Sequence, residues 1–221
     1  MEFEKIHNKG QAQLFNNSLL EYLTKTHPLV IWSMYLPVII LLPVYSYINI
    51  EFSIQKIALL FLGGAFFWSL FEYLMHRFVF HYTAKTEGGK KLNYILHGNH
   101  HEYPRDKQRL FMPAAPSLII ASIIFLLMYL IMHENAFTFF AGFMMGYLIY
   151  GSMHYAIHAW HPPFKWMKGL WRNHHLHHYK EDQKAFGVSS TLWDHVFGTM
   201  FDLKNEKEDK EKVKELMYEK K

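Results

Sequence analysis

The chain has 221 residues, of which 51% are hydrophobic and 18% aromatic, with a net charge of +4 and no cysteine. The missing cysteine excludes disulfides, thiolate nucleophiles, zinc fingers and iron–sulfur clusters. The apolar residues fall in long blocks between very polar stretches, the pattern of a membrane protein with a water-facing cap, and the Lys and Arg sit in particular segments, a placement that reads as topology rather than as a nucleic-acid patch.

Residues 1–28 read as a polar to amphipathic surface segment with no apolar run for a cleavable signal peptide. Leu14, Phe15, Ser18, Leu19, Tyr22 and Leu23 follow helical spacing, which suits a short helix either on the membrane surface or packed on the protein. Leu29 to Ile48 is a first uncharged span containing Pro37 and Pro43, which membrane helices tolerate. Ile57 to Met75 is a second span, with Gly63 and Gly64 open to a close neighbour. Residues 76–116 are polar and basic. Ser117 to His133 is a third span, Glu134 and Asn135 a tight turn, and Ala136 to His158 a fourth span with Gly142, Gly146 and Gly151 as packing sites. Trp160, Trp166, Trp171 and Trp193 suit a membrane interface. The membrane domain is expected to cover 29–203, and 204–221 to be a charged tail with helical propensity. Seven Lys/Arg lie between 76 and 116 and twelve after 158, against one in the 49–56 loop and none in the 134–135 turn. The positive-inside rule then places both termini and the polar segments in the cytosol, of either a bacterial inner membrane or an endoplasmic reticulum.

Ten of the 16 histidines form four clusters on that side: His76 and His81; His97, His100 and His101; His154 and His158; His174, His177 and His178. Neutral imidazole is the commonest nitrogen ligand of transition metals, and ten suit two ions better than one. His154 and His158 share a helical face, and so do the members of each triplet by their i, i+3, i+4 spacing. His76 and His81 are five apart, so the second span is expected to end, bend or bulge between them. Of the six other histidines, His161 and His175 are expected to sit closest to the metals, while His133 falls on the opposite membrane face. A nitrogen-rich site fits zinc, iron, copper or nickel. Zinc carries no redox chemistry, whereas two irons could bind O2 and oxidise an unactivated C–H bond with electrons from a separate protein. A metal transporter is the reading from another class. One-sided histidines and the lack of an ionisable residue near mid-membrane argue against it.

The H-x4-H, H-x2-H-H, H-x3-H and H-x2-H-H set resembles the fatty acid hydroxylase/sterol desaturase superfamily of membrane di-metal oxygenases. HGNHHEYPRDKQRLFMP, with Pro104, Asp106, Arg109, Leu110 and Pro113, and HHLHHYKEDQKAFGVSSTLWDHVFGT resemble the fatty acid 2-hydroxylase branch. The likeness covers roughly residues 57–201. It implies an all-α fold of four transmembrane helices under a cytosolic helical cap, with the ten histidines as di-metal ligands. The metals implied are two irons, with zinc able to occupy the site in purified protein. The implied reaction uses O2 to hydroxylate C2 of a long acyl chain, in a sphingolipid, its ceramide precursor or a free fatty acid. A sterol or carotenoid hydroxylase, or a desaturase, is the alternative within the superfamily. Only about 28 residues precede the first span, too few for the cytochrome b5 domain that some members carry, so a separate cytochrome b5-like or ferredoxin-type donor is expected. Ala185 stands where the branch has the first Gly of GFG, and Pro-Ala-Ala-Pro at 113–116 replaces a more proline-rich pattern.

Three further residues are candidates for the surroundings of the metals. Glu72, four residues before His76, either receives that imidazole's second N–H or sits at the water interface. Asp194 either orients a ligand histidine or caps a helix. Tyr155 faces either the site or the lipid. Asp106 and Arg109 are expected to pair and brace the cap. Phe66, Phe67 and Phe71 read as packing or lipid-facing residues.

Overall fold

A computed structural model describes residues 6–201, so the charged tail expected at 204–221 lies outside the described residues. Every regular element described is helical. The first is short: α1 covers Ser18–Leu23, capped by the Asn17 side chain, which accepts from Leu19 and Leu20 N–H. Leu14 and Phe15, expected on the same helix, are outside it, and their N–H groups donate to Glu21 Oε2 instead.

Four helices are long and apolar enough to cross a membrane: α2 (Pro28–Ile48), α3 (Ile54–Leu74, continued by a wide turn to Phe80), α6 (Ala114–Met132) and α7 (Asn135–Ala159). Each lies within a few residues of its expected span. Pro28 starts α2 where its missing N–H costs nothing, and Ser53 Oγ accepts from Lys56 N–H to start α3. The α6–α7 turn sits at His133–Glu134, one residue earlier than expected. The chain is an integral membrane protein.

α7 is the central helix. Ala136, Ala141, Phe143, Leu148 and Ile157 are buried along its length, whereas α2, α3 and α6 expose residues such as Leu41, Leu59 and Ile131. Buried hydroxyls tie the spans together: Tyr35 to Ser117 at 2.8 Å, Thr138 Oγ1 to Ser46 Oγ at 2.9 Å, and Trp32 Nε1 to Ser152 Oγ at 3.0 Å. In an apolar surround such bonds have no water to compete with them, so they select one packing of the bundle.

The cap follows from where the spans end. The start of α2, the end of α3, the start of α6 and the end of α7 share one end of the bundle. Onto it fold α4 (Glu87–Asn93), α5 (Asn99–Glu102), α8 (Lys168–Tyr179) and α9 (Leu192–Phe197). Trp171, expected at the interface, is fully buried in the cap and donates to the Trp160 carbonyl, while Trp160 and Trp166 are exposed. Trp193 is half-buried and donates to Ser69 Oγ. The segment before α2 is fastened over the cap. Arg109 donates to Asp106 Oδ2 at 2.5 Å, to Glu21 Oε1 and to Thr24 Oγ1, and Thr26 N–H donates to Gln108 O. The expected Asp106–Arg109 pair is therefore present, and it reaches the N-terminal segment as well as the cap loop.

Candidate metal centre

The wide turn at the end of α3 is the local feature that builds the first half of the site. On an α-helix, residues five apart point about 140° apart. Between Met75 and Phe80 the helix widens so that His81 N–H donates to His76 O, five residues back. That bulge is what the His76–His81 spacing demanded, and it turns both rings to one side. A second wide turn, Tyr94–Gly98, precedes α5 and is held by Asn99 Nδ2 donating to Tyr94 O and Ile95 O.

The ten clustered histidines converge in two groups of five: His76, His81, His97, His101 and His177, and His100, His154, His158, His174 and His178. Within each group the available ring nitrogens lie within 4.8 Å of one another, and every one of the ten residues is at most 6% exposed. Although the members of each triplet share a helical face, they do not all join one group. In both, the i, i+4 pair stays together and the histidine at i+3 crosses to the other group. His97 and His101 serve the first group and His100 the second; His174 and His178 serve the second and His177 the first. The groups are thereby interlaced, with the His101 and His178 rings stacked at 4.2 Å.

The fit of metal ions can be judged from the nitrogens. His76 Nδ1–H donates to Phe186 O at 2.5 Å, His154 Nδ1–H to Leu110 O at 3.2 Å and His177 Nδ1–H to Lys184 O at 2.7 Å. Each leaves its Nε2 lone pair aimed into the group. Nε2 atoms then face one another: His76 to His97 at 3.1 Å, His101 to His97 at 3.0 Å, His154 to His100 at 2.8 Å, His158 to His174 at 2.9 Å and His178 to His174 at 3.2 Å. Two nitrogens about 2.1 Å from a shared ion and at right angles to each other are about 3.0 Å apart, which is this spacing. His81 Nε2 and His177 Nε2 are buried with no hydrogen-bond partner among the described residues, as ligands awaiting a cation should be. Burial, reinforced by neighbouring imidazoles, pushes His97, His100, His101, His174 and His178 well below the ordinary histidine range. Burial likewise takes His177 down to about 3 despite its bond to the Lys184 carbonyl. All six are neutral nitrogen donors at pH 7.

The surrounding residues differ from their sequence-based expectations. Glu72 does not receive the His76 N–H, which goes to the Phe186 carbonyl. It is buried, and its oxygens accept from Val188 N–H (2.8 Å), Ser189 N–H (2.9 Å) and Ser189 Oγ (2.5 Å). Asp194 neither touches a ligand ring nor caps a helix. It accepts from Phe186 N–H (2.9 Å), Gly187 N–H (2.8 Å) and Thr199 Oγ1 (2.7 Å), and burial raises its carboxyl against those bonds. Both carboxylates therefore grip the 185–189 loop, which in turn presents the Phe186 carbonyl to His76. Their partners lie about a hundred residues away or across a loop, beyond what spacing reveals. Ala185, in the position where the resembling pattern has glycine, has φ +56° and is fully buried. That left-handed backbone is what a glycine would relieve. Tyr155 stacks edge-on against Trp160 and packs on the core of the spans. Phe66 and Phe67 are exposed, and Phe71 packs in the core. His175 is buried 6.0 Å from the His158 ring, bonded to Trp171 O, while His161 is exposed.

Removing the Glu72 carboxylate should show how much the loop depends on it. Glu72→Ala leaves one buried and two partly buried donors without their acceptor, at a cost on the order of 3 kcal/mol. Thermal unfolding in detergent is expected to shift down strongly, with Glu72→Gln intermediate. An Ala variant that melts like the wild type would mean the loop is held elsewhere.

Residues 61–199 match the model of the fatty acid hydroxylase family. A dihydroceramide fatty acyl 2-hydroxylase of Arabidopsis thaliana is 33% identical over 198 residues, which cover 89% of this chain and 83% of the relative. A ceramide very long chain fatty acid hydroxylase of Schizosaccharomyces pombe is 38% identical, over 89% of this chain and 57% of that protein. The human fatty acid 2-hydroxylase is 37% identical over 64% of this chain and 39% of its own length. A solved structure of full-length Scs7p, in which only the hydroxylase domain is visible, superposes with a TM-score of 0.81 at 36% identity, covering 87% of this chain and 73% of that one. The four spans, the two five-histidine groups and these relatives agree: the chain belongs to the fatty acid hydroxylase family, in its 2-hydroxylase branch.

Proposed function

We propose that this protein hydroxylates C2 of a long acyl chain, carried by a ceramide or other sphingolipid or as a free fatty acid, using O2 and two iron ions held by the ten histidines. Zinc is expected to occupy the same nitrogens in purified protein. The observation that carries the reading is the position of the two five-nitrogen groups, buried at one end of four membrane-spanning helices. Bound iron would supply the activation of O2 toward an unactivated C–H bond, which no side chain supplies.

The chain itself supplies placement. Asn135 to His154 along α7 is a rise of about 28 Å, close to the thickness of the hydrocarbon layer of about 30 Å. The histidine groups then stand level with the boundary between acyl chains and head groups. C2 adjoins the carbonyl carbon and lies at that level, while the rest of the chain runs down into the bilayer. Depth alone thus favours C2 over more distal carbons. The carbonyls of Phe186, Leu110 and Lys184 fix the ring planes of His76, His154 and His177, and Glu72 and Asp194 fix the loop that carries the first of them. The buried cap keeps bulk water from the groups. Asp106, Arg109 and Glu21 brace the segment before α2 against the cap.

We assign the hydroxylase domain to 29–203, with 1–28 as a surface segment and 204–221 as a charged tail. The cap and both termini are assigned to the cytosol, where a separate cytochrome b5-like or ferredoxin-type protein delivers electrons, in a bacterial inner membrane or the endoplasmic reticulum. The test is expression in a host that lacks 2-hydroxylated lipids, followed by mass spectrometry of whole lipid extracts against a His154→Ala control. One added oxygen at C2 of acyl chains, absent in the control, is the expected result. New oxygen on sterols or carotenoids, or a loss of two hydrogens, would overturn the substrate assignment.

A further inference from the structure

The connection after α8 brings a carboxylate to one histidine group and not to the other. Asp182 Oδ2 lies 3.3 Å from His81 Nδ1, off the best line for a hydrogen bond but in ion-pair reach. The Asp182 side chain is 18% exposed and that of His81 1%. The second oxygen, Oδ1, accepts from Gln183 Nε2 at 3.1 Å. His76, His154 and His177 turn their Nδ1–H to neutral carbonyls instead. An imidazole whose outer N–H faces a carboxylate is a stronger electron donor at its inner nitrogen, and its ring is better oriented, than one facing an amide carbonyl.

The same short connection supplies the Lys184 carbonyl to His177, also of the first group. Residues 182–184 therefore orient two of the five rings of the first group. The described second-group partner, the Leu110 carbonyl on His154, comes from a different loop. The two groups have the same number of histidines but unequal surroundings among the described residues: a carboxylate lies against one ring of the first.

We propose that Asp182 is a positioning residue that orients His81 and raises its donor strength, making the first histidine group the tighter of two inequivalent metal sites. The proposal rests on the reading of the two groups as metal sites but does not depend on the reaction or its substrate.

Zinc binding by this 221-residue chain in detergent tests it. Wild type, Asp182→Asn and Asp182→Ala are loaded with Zn2+, titrated with EDTA, and their bound zinc is measured by elemental mass spectrometry. Asparagine keeps an oxygen acceptor and deletes the charge, whereas alanine deletes both. The wild type is expected to hold two zinc ions, released at different chelator concentrations. In Asp182→Asn the tighter ion should be released about tenfold more easily, and in Asp182→Ala up to about a hundredfold, with the weaker ion unchanged. Loading with Co2+ gives an independent signature, because only one of the two sets of visible absorption bands should move. A purely structural role for the loop predicts that Asp182→Asn, which can accept the same bonds, behaves as wild type; that result overturns the proposal. Equal weakening of both ions overturns it as well. A wild type that binds no zinc or cobalt would sink the reading of the histidine groups as metal sites, and the proposal with it.

Discussion

His97→Ala or His101→Ala is expected to empty the first metal site and abolish hydroxylation, and His154→Ala or His178→Ala to do the same through the second. Each pair belongs to one five-nitrogen group, so each variant should retain about one metal ion per chain where the wild type is expected to hold two. Removing one of five crowded nitrogens also leaves its former neighbours, 2.8–3.2 Å away, without the cation that offsets their facing lone pairs. Residues that act as one unit fail together, so activity should drop about a thousandfold or more for every member. Membrane insertion should be intact, because alanine is more apolar than histidine and the four spans are otherwise untouched. Elemental analysis paired with lipid mass spectrometry checks both halves of the expectation. A variant that kept full activity would remove that residue from the ligand set. His100→Ala sharpens the test: although adjacent to His101, it is expected to empty the opposite site.

That last contrast shows where the sequence stops being legible. The ten histidines were visible because they cluster beside apolar blocks, and the bulge between His76 and His81 was visible because five residues do not fit one face of an α-helix. The division of the triplets was not. An i, i+3 and an i, i+4 neighbour both count as the same face when only one partner surface is imagined. Two nitrogen groups side by side split that face, and which histidine crosses depends on where α5 and α8 sit over the bundle. Glu72 and Asp194 were recognisable as candidates for the surroundings of the metals, but most of their donors are backbone N–H groups of the 186–189 loop, which leave no trace in residue type. For Ala185 a signal did exist. The departure from the resembling pattern's glycine was visible there, and the φ of +56° is a left-handed backbone that glycine adopts without strain.

The sharpest expectation for the membrane bundle concerns two neighbouring glycines with opposite outcomes. Gly64 and Gly142 form a reciprocal crossing between α3 and α7. A Cβ on Gly64 would stand 1.9 Å from the Phe139 carbonyl oxygen, and one on Gly142 would stand 1.9 Å from that of Phe61. Overpacking costs about 1–3 kcal/mol where side chains can yield. Here the obstacle is helix backbone, so the helices themselves must separate, and Gly64→Ala or Gly142→Ala should cost about 3 kcal/mol or more. Gly63, one residue away, meets nothing nearer than 3.6 Å, the Phe139 ring, so Gly63→Ala should be tolerated. Gly169→Ala in α8, where the added methyl meets open space, serves as the neutral control. The effect should reach the metals, because α3 carries His76 into the first group while α7 carries His154 and His158 into the second. Prying the two helices apart stretches the interlaced groups from opposite sides, and both ions should be lost together with the drop in melting temperature. Thermal unfolding and metal content in detergent read the two consequences separately. If Gly142→Ala melted with Gly63→Ala and kept both ions, the close crossing would not be what holds the site in register.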